Sequence, residues 1–165
     1  MTSTIRLDPS TPRASRAEIE EFLSQRVLAL AGASRGGRGF GNAVRRVLAA
    51  QGRRVLVVHP DAGHIDGVDG APCWFDLAAL PEPAGGVVVV VPPPAAVRVV
   101  EDAARAGIRR VWLQQGAESE AAVAFCRREA MSVVWGECIL MFAEPAGFPH
   151  RAHRWVRGVF GKLPA

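Results

Sequence analysis

The apolar run Val27 to Ala31 stops at Gly32-Ala33-Ser34-Arg35-Gly36-Gly37-Arg38-Gly39-Phe40-Gly41, ten residues of which five are glycine, and a helical pattern begins at once. Few folds accommodate that junction. A strand that ends in glycines and passes straight into a helix exposes backbone N–H groups with no Cβ in front of them, and the helix aims the positive end of its dipole at the same place. The natural occupant is an anion. A second apolar strand, Val55 to Val58, follows the helix, so the surroundings have the βαβ form in which such a turn is a nucleotide-phosphate cradle.

The alternation continues along the chain. Val44, Val47 and Leu48 form the inward stripe of the helix after the turn, Arg45 and Arg46 point outward, and Gly52 ends it. Strand two, Arg54 to His59, closes at Pro60. Asp61 to Gly70 reads as a loop, and Pro72-Cys73-Trp74-Phe75 as a packed connection leading to a short helix begun by Asp76. Gly86 to Val91 is almost all valine without alternation, which fits a central strand covered on both faces. Pro94 opens a helix to Ala106 with Gly107 as its cap; then come strand four (Arg110 to Gln114), a helix (Glu118 to Glu129) and strand five (Ser132 to Trp135). Before all of these, Ser15 and Glu18 form a capping box for a short helix whose Ile19, Phe22 and Leu23 share a face, expected across the edge or bottom of the sheet. The predicted fold class is α/β: one Rossmann-like domain with a five-stranded, parallel, doubly wound sheet, helices on both faces and all strands ending at one edge. Residues 1–14 are expected to be an extended lead-in, 15–145 the domain, and 146–165 a basic amphipathic tail in which Trp155, Val156, Val159 and Phe160 fall in i, i+4 pairs.

Charge argues against a nucleic-acid partner. The net +4 arises entirely from Arg151, Arg154, Arg157 and Lys162, so residues 1–149 carry 16 basic and 16 acidic side chains and the domain itself is neutral. The longest apolar stretch, Val87 to Pro94, is far short of the roughly 20 residues a spanning helix needs, and the N-terminus lacks the apolar core of a signal peptide. Three cysteines, Cys73, Cys126 and Cys138, form no CxxC pair, which suits reduced thiols; a cytoplasmic location is the expectation. His150 and His153 lie at i, i+3 spacing with no third ligand near them in sequence, and no metal site is predicted.

Two positions separate the possible nucleotides. The fingerprint of a dinucleotide-binding turn puts its second glycine at position 34, where this chain has Ser34, whose hydroxyl can instead donate to a phosphate oxygen. NAD-binding domains usually end strand two in an acid that holds the ribose diol; here stand His59 and Pro60, with Asp61 two positions on. The second counts against NAD. Cys138 follows strand five at the ligand edge, where a thiol could exchange with a ligand's sulfur, although its first reading is a small buried residue, as is that of Cys126 beside Phe125.

The runs VLALAGASRGGRGFGNAVRRVL, VLVVHP, VVVVVPP and AGIRRVWLQQG, together with Gly67 and the cysteine after the last strand, resemble the small bacterial CoA-binding domain proteins, which look like the N-terminal domain of the succinyl-CoA synthetase α subunit standing alone. The resemblance covers roughly residues 20–142. It implies that Gly32, Ala33, Ser34 and Arg35 meet the phosphates of coenzyme A, with Phe40 and Gly41 nearby. His59 and Pro60 would sit beside the adenosine, Val91 and Pro92 along the ligand, and Gln114 and Gly116 near its distal end. Three departures are His59 where the family usually has Asn, Asp61 where it often has lysine, and Gly86 where an acid commonly precedes the third strand. Asp61 would repel the 3′-phosphate unless Arg35, Arg38 or His64 compensates. The phosphorylated histidine of the succinyl-CoA synthetases belongs to a further domain that does not fit within this chain, and no catalytic residue set is evident. The expected function is thus non-catalytic binding of coenzyme A or an acyl-CoA; the alternatives are an NAD(P)-binding oxidoreductase-like protein and a ligand-free interaction module that forms a homo-oligomer or a partner complex through its tail.

Overall fold

The computed structural model describes residues 11–62, 67–68 and 70–143; the expected tail, most of the lead-in, His64, His150 and His153 lie outside them. Six strands, β1 (Val27–Ala31), β2 (Arg54–Val58), β3 (Cys73–Trp74), β4 (Gly86–Val89), β5 (Arg110–Leu113) and β6 (Ser132–Trp135), form one open sheet in the order β3-β2-β1-β4-β5-β6. Every pairing is parallel. The chain runs outward from β1 in one direction and restarts at β4 in the other, so the strand order reverses between β1 and β4 and leaves a crevice at their carboxyl ends.

The expected α/β parallel sheet is present, with six strands rather than five. The added strand is the Cys73–Trp74 connection, which pairs with Val57 and Val58 and covers the edge of β2. Two residues carry no period of their own; it is their hydrogen bonds to β2, continued by His59 N–H to the Trp74 carbonyl at 2.8 Å, that make them a strand. The helix expected at Asp76 is also corrected. There the Asp76 carboxylate accepts the Ala79 N–H at 2.8 Å and caps a single turn that propagates no further.

Among the described residues the remaining elements are five helices, α1 (Arg16–Leu23), α2 (Phe40–Ala50), α3 (Pro93–Arg105), α4 (Glu120–Arg128) and α5 (Ile139–Ala143). On one face α3 and α4 place Ala96, Val100, Ala103, Val123 and Cys126 on Ala29, Val87, Val89, Val111 and Leu113. The opposite face takes α1, α2 and α5, whose Phe22, Val44, Leu48 and Ile139 meet Leu28, Leu30, Val88, Trp112 and Val134. Alternate residues of β1, β4 and β5 therefore serve different cores, which explains why all four residues of β4 are buried. α1 lies on a sheet face at the bottom of the sheet, where Phe22 meets Gly86 and Glu21 pairs with Arg110 at the starts of β4 and β5. Its capping box is formed as predicted, with the Glu18 side chain accepting the Ser15 N–H at 2.7 Å, and Phe22 fills the space a side chain at Gly86 would need, since a Cβ there would stand 2.7 Å from the Phe22 ring. Arg53, just beyond α2, donates to the Leu23 carbonyl at 3.1 Å and holds the last turn of α1. Among the described residues no helix is long and apolar enough to cross a membrane.

Candidate functional site

The turn after β1 is shaped by three buried contacts. Gly32 has φ +114°, and a Cβ on it would lie 2.2 Å from the Val90 carbonyl oxygen, so only glycine lets the end of β1 pass against the end of β4. Gly41 serves the same purpose from below. A Cβ there would stand 2.4 Å from the Gly32 carbonyl oxygen, and its absence lets α2 start flush against the turn. The third contact is Asn42, fully buried in the first turn of α2: its Oδ1 accepts the Ser34 N–H at 2.8 Å and its Nδ2 donates to the Ser34 carbonyl at 2.9 Å. One side-chain amide thus pairs with both backbone groups of one residue, as a neighbouring strand would. The exposed part, Arg35 to Arg38, closes with Gly37 N–H to the Ser34 carbonyl at 3.2 Å. Gly39 is the N-cap of α2 and makes no side-chain cap hydrogen bond there, which suits an external anion at that end.

Across the crevice, the end of β2 folds into a turn in which Ala62 N–H donates to the His59 carbonyl at 3.0 Å. His59 Nδ1 accepts the Asp61 N–H at 3.0 Å, which assigns the ring proton to Nε2. Asp61 itself pairs with Arg35 at 3.7 Å, both side chains being largely in solvent. Of the three cations considered as compensation for this carboxylate, Arg35 is paired with it and His64 lies outside the described residues.

Two hollows open along this edge. A larger one of about 550 Å³ lies between the β1 turn, the end of β2 and the start of α3, bounded by Gly32, Ser34, His59, Pro60, Val91 and Pro92, with Phe75, Asp76 and Arg98 on its outer wall. The smaller, about 350 Å³, lies between β4 and β5 and is lined by Phe40, Val91, Pro92, Gln114, Gly116 and Ala117. Val90, Val91 and Pro92 border both and form a ridge between them. Of the twelve residues singled out from the sequence, the structure places Gly32, Ala33, Ser34, His59 and Pro60 on the first hollow, Phe40, Gln114 and Gly116 on the second, and Val91 and Pro92 on both. Arg35 and Gly41 line neither: one reaches the site through Asp61, the other beneath the turn. Sequence reasoning missed Asn42, Phe75 and Arg98. Asn42 left a signal, a lone amide among apolar residues one position after the last glycine.

The cysteines divide by burial. Cys126 is enclosed by α4 and the sheet, and burial pushes its thiol up to about 12 against an ordinary 9.0, while Cys73 and Cys138 are half-buried. A thiol with that pKa presents almost no thiolate at neutral pH. Iodoacetamide at pH 7.5 should therefore leave Cys126 unmodified in the native protein and alkylate it in denaturant, read by peptide mass spectrometry; native alkylation would contradict the packing. The same shift implies stability that is complete below pH 9 and falls as pH rises toward 12, where the unfolded thiol releases its proton first.

Sequence comparison places the arrangement. The CoA binding domain family matches residues 26–144, which take in both hollows and every strand. The chain belongs to that family. As a CoA binding domain it is similar to a conserved hypothetical protein from Pyrococcus furiosus, at 33% identity over 71% of this chain and 98% of that one with a TM-score of 0.65. A Thermus thermophilus protein is 27% identical over 79% of this chain and 96% of its own, with a TM-score of 0.69. The dinucleotide-forming acetyl-coenzyme A synthetase 1 of Ca. Korarchaeum cryptofilum shares the fold at 22% identity and a TM-score of 0.59, and 70% of this chain spans 27% of that larger protein. No curated protein matches the chain.

Proposed function

We propose that this CoA binding domain binds coenzyme A or an acyl-CoA along the carboxyl edge of its sheet and performs no chemistry on it. The observation that carries this reading is the turn locked by Gly32, Gly41 and Asn42 at the point where the strand order reverses, beside a helix start whose N-cap makes no side-chain hydrogen bond. Ser34 and that helix start would hold the pyrophosphate, His59, Pro60 and Phe75 would flank the adenosine, and the arm would cross Val91 and Pro92 into the second hollow. Membership of the family supports the choice of nucleotide, as does the fold shared with an acetyl-coenzyme A synthetase. A binding role without catalysis follows the sequence, in which no catalytic residue set is evident.

Asp61 does not close the site to a 3′-phosphate. An ion pair this exposed is worth about 0–1 kcal/mol, less than the charge-assisted hydrogen bonds a phosphate offers Arg35. The experiment is a melting series with CoA, dephospho-CoA, NAD and NADP at millimolar concentration. A ligand at 100 times its Kd stabilises by about 2.7 kcal/mol, and CoA should raise the transition most. Ser34→Asp, which puts a carboxylate in the cradle, should remove that rise. A shift with NADP and none with CoA would replace this reading by an NAD(P)-binding one; unchanged CoA binding in Ser34→Asp would move the phosphates elsewhere.

A further inference from the structure

On α5, Ile139 and Leu140 are buried, whereas Met141 is 63% and Phe142 42% exposed; they are two of the three large apolar side chains that stand in solvent among the described residues. Phe142 packs against Trp112 with 5.9 Å between ring centroids and also lines a hollow of about 460 Å³ between α5 and α1. Ile19 and Leu23 supply further apolar wall there, with Arg16 and Glu20 beside them. α1 carries Glu18, Glu20 and Glu21 against the single cation Arg16. Two of these carboxylates are paired, Glu20 with Arg16 and Glu21 with Arg110, yet more than half of each side chain is in solvent and open to a second cation. The chain that follows α5 has the complementary character. Trp155, Val156, Val159 and Phe160 fall in i, i+4 pairs, Arg151, Arg154, Arg157 and Lys162 bring four positive charges, and no acid follows Glu144. A stripe this short, interrupted by Gly158 and Gly161, does not sustain a helix in water without a surface to pack on.

We propose that the hollow between α1 and α5 is the docking site for residues 151–162 of the same chain, which lay their apolar stripe on Ile19, Leu23 and Phe142 and turn their arginines to the carboxylates of α1. Distance favours this occupant. Phe142 stands one residue before the end of α5, and residues 144–154 extend to at most about 35 Å, against a length of about 12 Å for the whole of α1. The stripe is thus tethered beside the hollow at an effective concentration on the order of millimolar, which a second copy reaches only in concentrated solution. Neither α1 nor residues 151–162 fall in the stretch 26–144 that matches the family, so the ligand site proposed above accounts for neither. The docking stands or falls independently of coenzyme A.

Hydrogen exchange of the full chain, read by peptide mass spectrometry without added ligand, tests it. The wild type is compared with a double variant, Trp155→Ser with Phe160→Ser, which removes the two largest anchors of the stripe and touches no residue of the sheet. Amides of α1 and α5 should exchange about tenfold faster in the variant, while those of β1 and β4 keep their wild-type rates. The sheet is the internal control for folding. Unchanged exchange in α1 and α5 would overturn the docking and leave the stripe to face another protein or an anionic lipid surface. An equal acceleration in the sheet and in α1 would overturn it as well, since the segment would then bear on the whole fold rather than on this hollow. Dilution of the wild type identifies the occupant: protection of α1 independent of concentration is the expected result, and protection that fades on dilution would give the hollow to a second copy of the chain and overturn the assignment made here.

Discussion

Gly32→Ala should lower the melting temperature by roughly 10 °C and abolish the proposed binding of coenzyme A. The added methyl would stand 2.2 Å from the Val90 carbonyl oxygen, a backbone atom held by its own strand, at a φ of +114° that a side chain rarely adopts. Backbone strain of this kind costs about 1–3 kcal/mol, and relieving the collision requires β1 and β4 to separate at the place where Val90 N–H bonds the Ala31 carbonyl at 2.7 Å. A loss of about 3 kcal/mol corresponds to a shift of that size in a domain of this length. Gly107→Ala is the control. Gly107 also has a positive φ, +75°, but a Cβ there meets nothing within 4 Å, so its cost should stay near 1 kcal/mol with binding retained. Equal effects of the two substitutions would show that φ alone, not the contact with β4, makes Gly32 necessary.

The second large effect is expected at Trp112, at the centre of the face covered by α1, α2 and α5. Its ring is fully buried, 5.5 Å from that of Phe22 and 5.9 Å from that of Phe142, and its Nε1 donates to the Glu137 carbonyl at 3.3 Å. Trp112→Ala should cost about 3–5 kcal/mol, because the lost transfer energy adds to a cavity that a sheet bonded on both sides cannot collapse to fill. Urea unfolding should show a lower midpoint at an unchanged slope. Trp112→Phe, which keeps an aromatic against Phe22 but loses the indole hydrogen bond, should cost less than half as much. A Trp112→Ala variant with near-native stability would mean that α1 and α5 do not bear on the sheet as described.

Those two residues also show what could be read before folding was known. Gly32 announced itself because a glycine turn between an apolar strand and a helix is a local pattern, and its reason, the approach to Val90, follows from the topology that same pattern implies. Five of the six strands were legible for similar reasons, each being long or apolar enough to show a period. β3 was not, since two residues owe their conformation to β2. Asn42 was invisible in its role because nothing local shows that its amide will face the Ser34 peptide group. Gly86 illustrates the same limit. It stood out as a missing acid, and the cause lies 64 positions earlier in Phe22, which occupies the space. Arg35 is one of three cations the sequence offers beside Asp61, and its pairing depends on the turn after His59, which no local pattern displays.

The cradle owes its shape to Gly32, Gly41 and Asn42, none of which carries charge, while Arg35, Gly36 and Arg38 stand in solvent and bear no part of that geometry. Anchorage and electrostatics are therefore written into separate positions. Exchanging arginine for an acid or a neutral residue at 35 or 38 should alter the charge of this edge while leaving the backbone contour and the melting temperature nearly as they are.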